Sequence, residues 1–94
     1  MSQFKNNQEL WNAVRSLVAK LREKNENETA ERIKDTLSIS QSVAEVMGEC
    51  RMEVLRGIKA GIGSRTGLQA EMQAIADCLT ETLKKFFSEL KEPE

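Results

Sequence analysis

The stretch that decides the fold is residues 68–90, LQAEMQAIADCLTETLKKFFSEL. Its large apolar side chains recur at steps of three or four residues, in the order Leu68, Met72, Ile75, Leu79, Leu83, Phe86 and Leu90. That spacing places all of them on one face of an α-helix. The sequence therefore predicts a long final helix, ending near residue 91, that packs against other helices.

A second amphipathic helix is predicted near the start of the chain, from Asn7 as its N-cap to about Lys24. Its apolar stripe consists of Leu10, Val14, Leu17 and Leu21, widened by Trp11 and Val18. Residues 24–27 are polar and contain two asparagines, which is typical of a turn. Asn25 and Glu28 have the spacing of a capping box that would begin the next helix.

The middle of the chain contains two apolar stripes that do not share a face. Ala30, Ile33 and Leu37 form the first stripe. The second consists of Ile39, Val43, Val46, Cys50, Val54 and Ile58. Because Leu37 and Ile39 point about 200° apart on a helix, we expect a break near residues 38–42, with Ser42 and Glu45 as a capping box. The alternative is one unbroken helix of more than thirty residues in an intertwined dimer.

The third helix is expected to end among four glycines that lie within eleven residues, at positions 57, 61, 63 and 67. Gly61 or Gly63 is expected to take the left-handed conformation that ends this helix. Thr66 is the predicted cap of the final helix, with Gln69 as its partner three residues later.

These elements predict an all-α fold, an antiparallel helical bundle of three or four helices that allows a homodimer. The 94 residues form a single domain over 1–94, with frayed ends at 1–6 and 92–94. The composition, 39% hydrophobic and 31% charged, is that of a globular chain, and its stability is expected near the lower end of roughly 5–15 kcal/mol.

The charge balance, with 14 basic and 15 acidic residues, argues against a general nucleic-acid-binding protein. No apolar run is long enough to span a membrane, and residues 1–5 lack the apolar core of a signal peptide. A cytoplasmic location is therefore the expectation. The two cysteines, Cys50 and Cys78, agree with it because small secreted domains usually carry more.

Catalytic chemistry has little support in the composition. The chain has no histidine and no tyrosine, which removes the commonest general base and the commonest metal ligand. Glu45, Glu49 and Glu53 lie four residues apart on one helix face, but such rows are normally solvated. We expect no enzyme activity, no cofactor and no metal, and a metal-dependent enzyme using these three carboxylates is the weakest hypothesis.

The cysteines both fall on or beside apolar stripes, and neither has a nearby cysteine at metal-ligand spacing. Small buried apolar side chains are therefore the preferred interpretation. A disulfide between Cys50 and Cys78 stays open at the level of sequence.

Residues 51–67 have a local charge of +3 and are rich in glycine. Glycine amides, hydroxyls and cations beside a helix start are the groups that bind anions. The candidate anion-binding residues are Arg51, Arg56, Lys59, Ser64, Arg65 and Thr66. An ordinary helix connection explains the same residues and is preferred, so anion or nucleic-acid binding is the alternative function.

The four aromatic residues are concentrated near the two ends of the chain. Trp11, Phe86 and Phe87 are candidate partner-binding anchors, since aromatic side chains are favoured at interfaces. A place in the core is the competing and preferred explanation for them. The leading hypothesis is a small non-enzymatic protein-binding module (a regulator, an inhibitor or immunity factor, or an adaptor) that acts through an apolar helix face.

Overall fold

Five helices make up the part of the chain that the structure describes. The structure, a computed structural model, describes residues 6–38 and 42–90, with side chains described as far as Phe86. The helices are α1 (Asn7–Glu23), α2 (Asn27–Thr36), α3 (Val43–Lys59), α4 (Ile62–Thr66) and α5 (Gln69–Leu90). No strand occurs in this part of the chain, which confirms the all-α class. The number of helices exceeds the predicted three or four because α4 forms within the glycine-rich connection.

Helix α1 begins one residue earlier than predicted. Its N-cap is Asn6, whose side chain accepts a hydrogen bond from the Glu9 backbone N–H at 3.0 Å. The predicted cap, Asn7, is instead the first helical residue, and the prediction that Asn6 belongs to a frayed end is wrong. The two asparagines are equivalent as local signals, but Asn6 is the one followed three residues later by a glutamate, Glu9, which is the spacing of a capping box.

The turn between α1 and α2 also differs from the prediction. Asn25 has a φ of 64°, a left-handed conformation that asparagine tolerates better than most residues. Glu26 then takes the N-cap position of α2, with no side-chain capping bond. The predicted capping box between Asn25 and Glu28 is therefore wrong, because Asn25 forms the turn after α1 and Glu26 is the N-cap of α2.

The break between the second and third helices is confirmed. Helix α2 ends at Thr36, and α3 begins at Val43 after the N-cap Ser42. The Glu45 backbone N–H donates to Ser42 Oγ at 3.2 Å, and the Ser42 backbone N–H donates to Glu45 Oε1 at 3.3 Å. This is the predicted capping box. The predicted break also includes residues 39–41, which lie outside the described residues.

Helix α3 ends at Lys59, and Gly61, one of the two predicted alternatives, takes the left-handed conformation that follows it. Gly61 has a φ of 84°, and Gly67, with a φ of 79°, ends α4 in the same way. Gly63 lies inside α4 instead and packs against the start of α5. A Cβ atom at Gly63 would lie 2.9 Å from the Cα of Gln69, so only glycine fits this contact.

Thr66 does not cap α5, contrary to the prediction. It is the last residue of α4, where its hydroxyl donates to the Ile62 carbonyl at 2.7 Å. The same hydroxyl accepts a hydrogen bond from the Leu68 backbone N–H at 3.3 Å. Two further residues, Gly67 and Leu68, separate Thr66 from Gln69, the first residue of α5. Thr66 therefore stabilises the connection between α4 and α5 and does not cap α5.

The long helices pack antiparallel. On α3 and α5, Arg51 bonds to Thr80, whereas Gly57 lies so close to Met72 that a Cβ at Gly57 would be 2.8 Å from the Met72 Cε. Residue numbers rise along one helix as they fall along the other, which defines an antiparallel pair.

The same relation holds between α2 and α3. Thr36, at the end of α2, bonds to Cys50, while Thr29 near its start contacts Gly57. Helices α1 and α2 are joined by a short turn, and α1 also contacts α5. The four long helices therefore form a closed ring in the order α1, α2, α3 and α5, an antiparallel four-helix bundle with α4 as its connecting helix.

The core lies inside this ring and is aliphatic. The buried hydrophobic residues are Leu10, Val14, Leu17, Val18, Leu21, Ala30, Ile33, Met47, Cys50, Val54, Ile62, Leu68, Met72, Ile75, Ala76, Cys78 and Leu79. The apolar stripe predicted for the last helix is buried from Leu68 to Leu79, whereas Leu83 and Phe86 are half-buried. Helix α5 thus packs mainly through its first three turns.

Candidate functional site

A groove runs over the surface where α1, the end of α2 and the start of α3 meet. It consists of two adjacent depressions of about 400 Å³ and 230 Å³, which share Arg15 and Leu37. We call it the α1–α2–α3 groove. Its floor is apolar and is formed by Trp11, Val18, Ala19, Leu37, Val43 and Val46. Cavities of a few hundred Å³ with apolar linings are typical of binding sites.

Val43 is the most exposed apolar residue of this floor. It is 56% exposed although it lies on the apolar stripe predicted for α3. Trp11, Leu37 and Val46 around it are half-buried. An exposed valine grouped with a half-buried tryptophan and two half-buried aliphatic residues forms a contiguous apolar surface, and such surfaces mark binding sites more often than isolated apolar residues do.

Three cations border this floor. Arg15, Arg22 and Lys34 line the larger depression, and no carboxylate among the described residues lines either depression. Arg22 forms an ion pair with Glu31, and this hydrogen bond is the main cause that lowers the pKa of the Glu31 carboxyl. The positive charge of Lys34 lowers the pKa of Glu31 further. The border of the groove is therefore positive in a chain whose net charge is −1.

Arg15 and Lys34 keep their charge available to a partner. Among the described residues, neither of them takes part in an ion pair; the Arg15 guanidinium donates only to the side-chain oxygen of Asn12, at 3.3 Å. Both residues are exposed. A carboxylate that approached the groove would meet these two exposed cations, of which Lys34 also acts on the charge of Glu31.

The three aromatic anchor candidates do not form one site. Trp11 lines the groove and also packs against the core, and its role as a partner-binding anchor stays a prediction. Phe86 is half-buried on α5 and does not line the groove. The side chain of Phe87 lies outside the described residues.

The anion-binding candidates are likewise directed to different neighbours. The Arg51 Nε donates to Thr80 Oγ1 on α5 at 2.6 Å. Arg65, on α4, forms an ion pair with Glu26 at the start of α2, at 2.7 Å. Each guanidinium therefore has a partner within the bundle, and these partners lie on different helices.

The other candidate anion-binding residues do not converge on a common point either. The Arg56 Nη1 atom lies 3.9 Å from Glu53 Oε2. On α3, the Arg56 side chain points about 140° away from that of Arg51. Lys59 and Ser64 are exposed, and Thr66 uses its hydroxyl within the α4–α5 connection. The geometry supports a helix connection, the explanation preferred from the sequence, and does not assemble the six residues around one point.

The row of carboxylates on α3 is also spread between different environments. Glu45 takes part in the capping box, and Glu53 is half-buried near Arg56, whereas Glu49 is exposed. Within residues 6–38 and 42–90, no group of three or more acidic or cysteine side chains has the geometry of a metal site.

Cys50 and Cys78 are buried free thiols, so the disulfide left open by the sequence is not formed. Burial raises the pKa of the Cys50 thiol to about 11, and its hydrogen bond with Thr36 offsets this only in part. A thiol with so high a pKa stays protonated and unreactive at neutral pH. Cys50 therefore serves as a small core residue.

Comparison with known proteins gives no relative: the chain matches no protein-family model, no curated protein and no solved structure. In the part of the chain that the structure describes, no helix combines the length and the apolarity needed to cross a bilayer. The function has to be argued from the surface itself.

Sequence reasoning missed most of the groove, although one signal was present. Trp11, Arg15, Val18 and Arg22 recur at steps of four, three and four residues and so share one edge of α1. The apolar stripe predicted for α1 includes Trp11 and Val18 but neither of the two arginines. The contribution of Lys34, Leu37 and Val43 could not be seen, because it depends on how α2 and α3 meet α1.

Proposed function

We propose that this chain is a non-enzymatic protein-binding module, of the kind that acts as a small regulator, inhibitor or adaptor. The observation that carries the proposal is the α1–α2–α3 groove, where Val43 is 56% exposed beside Trp11. Burying such a surface against a partner is favourable by roughly 25 cal/mol per Å² of apolar area. Trp11 would act as the aromatic anchor at its centre.

The chemistry of the lining supports binding rather than catalysis. In the part of the chain that the structure describes, the groove lining contains no carboxylate and no thiol, and the sequence has no histidine. General acid–base catalysis at this surface would have to rely on Lys34 or Ser38 alone. A cytoplasmic location belongs to the same proposal and is supported by the two free thiols, which a reducing compartment preserves.

The test is affinity capture from nuclease-treated lysate of the source cells with three forms of the full chain. The wild-type protein is compared with Val43→Asp, which places a charge on the groove floor. Met52→Asp is the matched control, because Met52 is 53% exposed and lies nine residues from Val43, about 180° around the same helix. Bound proteins are eluted with stepwise salt and identified by mass spectrometry.

We expect one protein to be retained by the wild type and by Met52→Asp and to be lost from Val43→Asp. Loss from Met52→Asp with retention by Val43→Asp would refute the groove as the binding surface. Capture that occurs from untreated lysate and is absent after nuclease treatment would instead support nucleic-acid binding through residues 51–67.

A further inference from the structure

We infer that the partner segment recognised by the α1–α2–α3 groove is an acidic amphipathic helix. This inference rests on the proposed function and specifies the chemistry of the partner. It follows from the distribution of charge around the groove, from the groove's length, and from what a second copy of this chain would bring to it.

The charge distribution favours an acidic partner. Arg15, Arg22 and Lys34 border the groove, and within residues 6–38 and 42–86 no carboxylate lines it. Glu31, paired with Arg22, lies outside the lining. A partner with carboxylates beside its apolar face would meet complementary charge at the border and apolar surface at the floor, whereas a basic partner would meet like charge.

The dimensions of the groove fit a short helix. Trp11 and Arg22 mark its extent along α1, and eleven residues of helix span about 16 Å. A partner helix of about three turns would therefore cover the floor with apolar residues at positions i, i+4, i+7 and i+11. Carboxylates on either side of that stripe would reach the cations of the border.

A second copy of this chain does not fit the groove in a symmetric dimer. A two-fold interface places the same patch on both partners, so the cations of one groove would face those of the other. Arg15 and Lys34, which form no ion pair among the described residues, would then repel their symmetry mates. The groove's charge thus favours a different, acidic chain.

The experiment uses the full chain and three synthetic 14-residue peptides with the same leucine stripe. The flanking positions are glutamate in the first peptide, glutamine in the second and lysine in the third. Binding is measured by fluorescence anisotropy between 0.05 M and 0.5 M salt. We expect the glutamate peptide to bind at least tenfold more tightly than the lysine peptide at low salt, with the difference shrinking as salt screens the charges.

Charge reversal on the protein provides the decisive comparison. The double variant Arg15→Glu with Lys34→Glu is expected to lose at least tenfold in affinity for the glutamate peptide and to gain affinity for the lysine peptide. The matched control is Arg56→Glu with Lys59→Glu, two exposed cations of α3 outside the groove, which should leave both affinities unchanged. Circular dichroism of each variant establishes that the helices are retained.

The outcomes separate this inference from the proposed function. If all three peptides bind equally and Val43→Asp abolishes their binding, the groove is a binding surface but the acidic partner is wrong. If Val43→Asp leaves peptide binding unchanged, both the inference and the proposed function are contradicted. Failure of every peptide to bind at millimolar concentration would overturn the inference, while the capture experiment would still test the proposed function.

Discussion

At the scale of single residues, Val43 and Met52 have nearly equal exposure on one helix but very different surroundings. Val43 adjoins Trp11, Leu37 and Val46 in the groove, whereas Met52 lines neither of its depressions. Isolated exposed apolar residues are ordinary in soluble proteins. It is the grouping around Val43, and not its exposure alone, that marks a binding surface.

The glycines give a test of local backbone structure. At Gly48, within α3, an added Cβ would meet no atom within 4 Å. Gly48→Ala is therefore expected to stabilise the protein by about 0.5–1 kcal/mol, since alanine is the better helix former.

Gly61→Ala is the contrasting variant. Its φ of 84° favours glycine, so alanine there should destabilise the protein by about 1 kcal/mol. Urea unfolding of both variants measures the two effects. Shifts of the same sign would contradict the conformations assigned to these two positions.

At the scale of elements, the boundary between α2 and α3 decides the shape of the groove. The break allows α2 to end beside α1 and α3 to begin there, which brings Leu37 and Val43 to the same surface. One continuous helix could not reverse direction between these two residues. The capping box of Ser42 and Glu45 fixes the point at which α3 begins.

Removing that cap is expected to lower stability measurably. Ser42→Ala deletes the hydroxyl that accepts from the Glu45 backbone N–H, and loss of such a cap costs about 1 kcal/mol. The urea midpoint should fall accordingly. Ser64→Ala, at an exposed position in α4, is the control and should leave the midpoint unchanged. Equal midpoints for wild type and Ser42→Ala would contradict the assigned cap.

Helix α5 and the break near residue 40 could be predicted because both depend on local pattern. The position of the buried face on α3 could not. The predicted stripe included Val43 and Ile58, yet Val43 is exposed and Met47 is buried, as is Gly57. Because α3 contacts both α2 and α5, its buried face is set by the positions of two neighbours rather than by hydrophobicity alone.

Short structures escape prediction for a related reason. Helix α4 has only five residues, fewer than two turns, so it shows no hydrophobic period. The caps Asn6 and Glu26 differ from their predicted positions by one residue, because adjacent polar residues offer equivalent local signals. The candidate anion-binding residues were grouped because they are close in sequence. In the folded chain they lie on α3 and α4 and contact different neighbours.

At the scale of the whole molecule, the ring of four helices encloses its apolar core within one chain. Much of the predicted apolar surface is therefore buried within a single copy, although Val43 stays exposed and Leu83 and Phe86 are half-buried. The homodimer allowed by the sequence stays a prediction, and the cations around the groove favour another surface for it. An apolar surface stays exposed beside Trp11. In the proposed function, this surface binds the partner.

The groove as the binding surface is tested most directly by NMR. Chemical shifts of the isotope-labelled full chain are recorded before and after addition of the captured partner or of the glutamate peptide. We expect the largest chemical-shift changes at the Trp11 indole and at the methyl groups of Val43 and Val46. Small changes are expected at Met52 and across residues 51–67. Changes centred on that glycine-rich segment, with Trp11 and Val43 unaffected, would contradict the central claim that this protein binds its partner through the α1–α2–α3 groove.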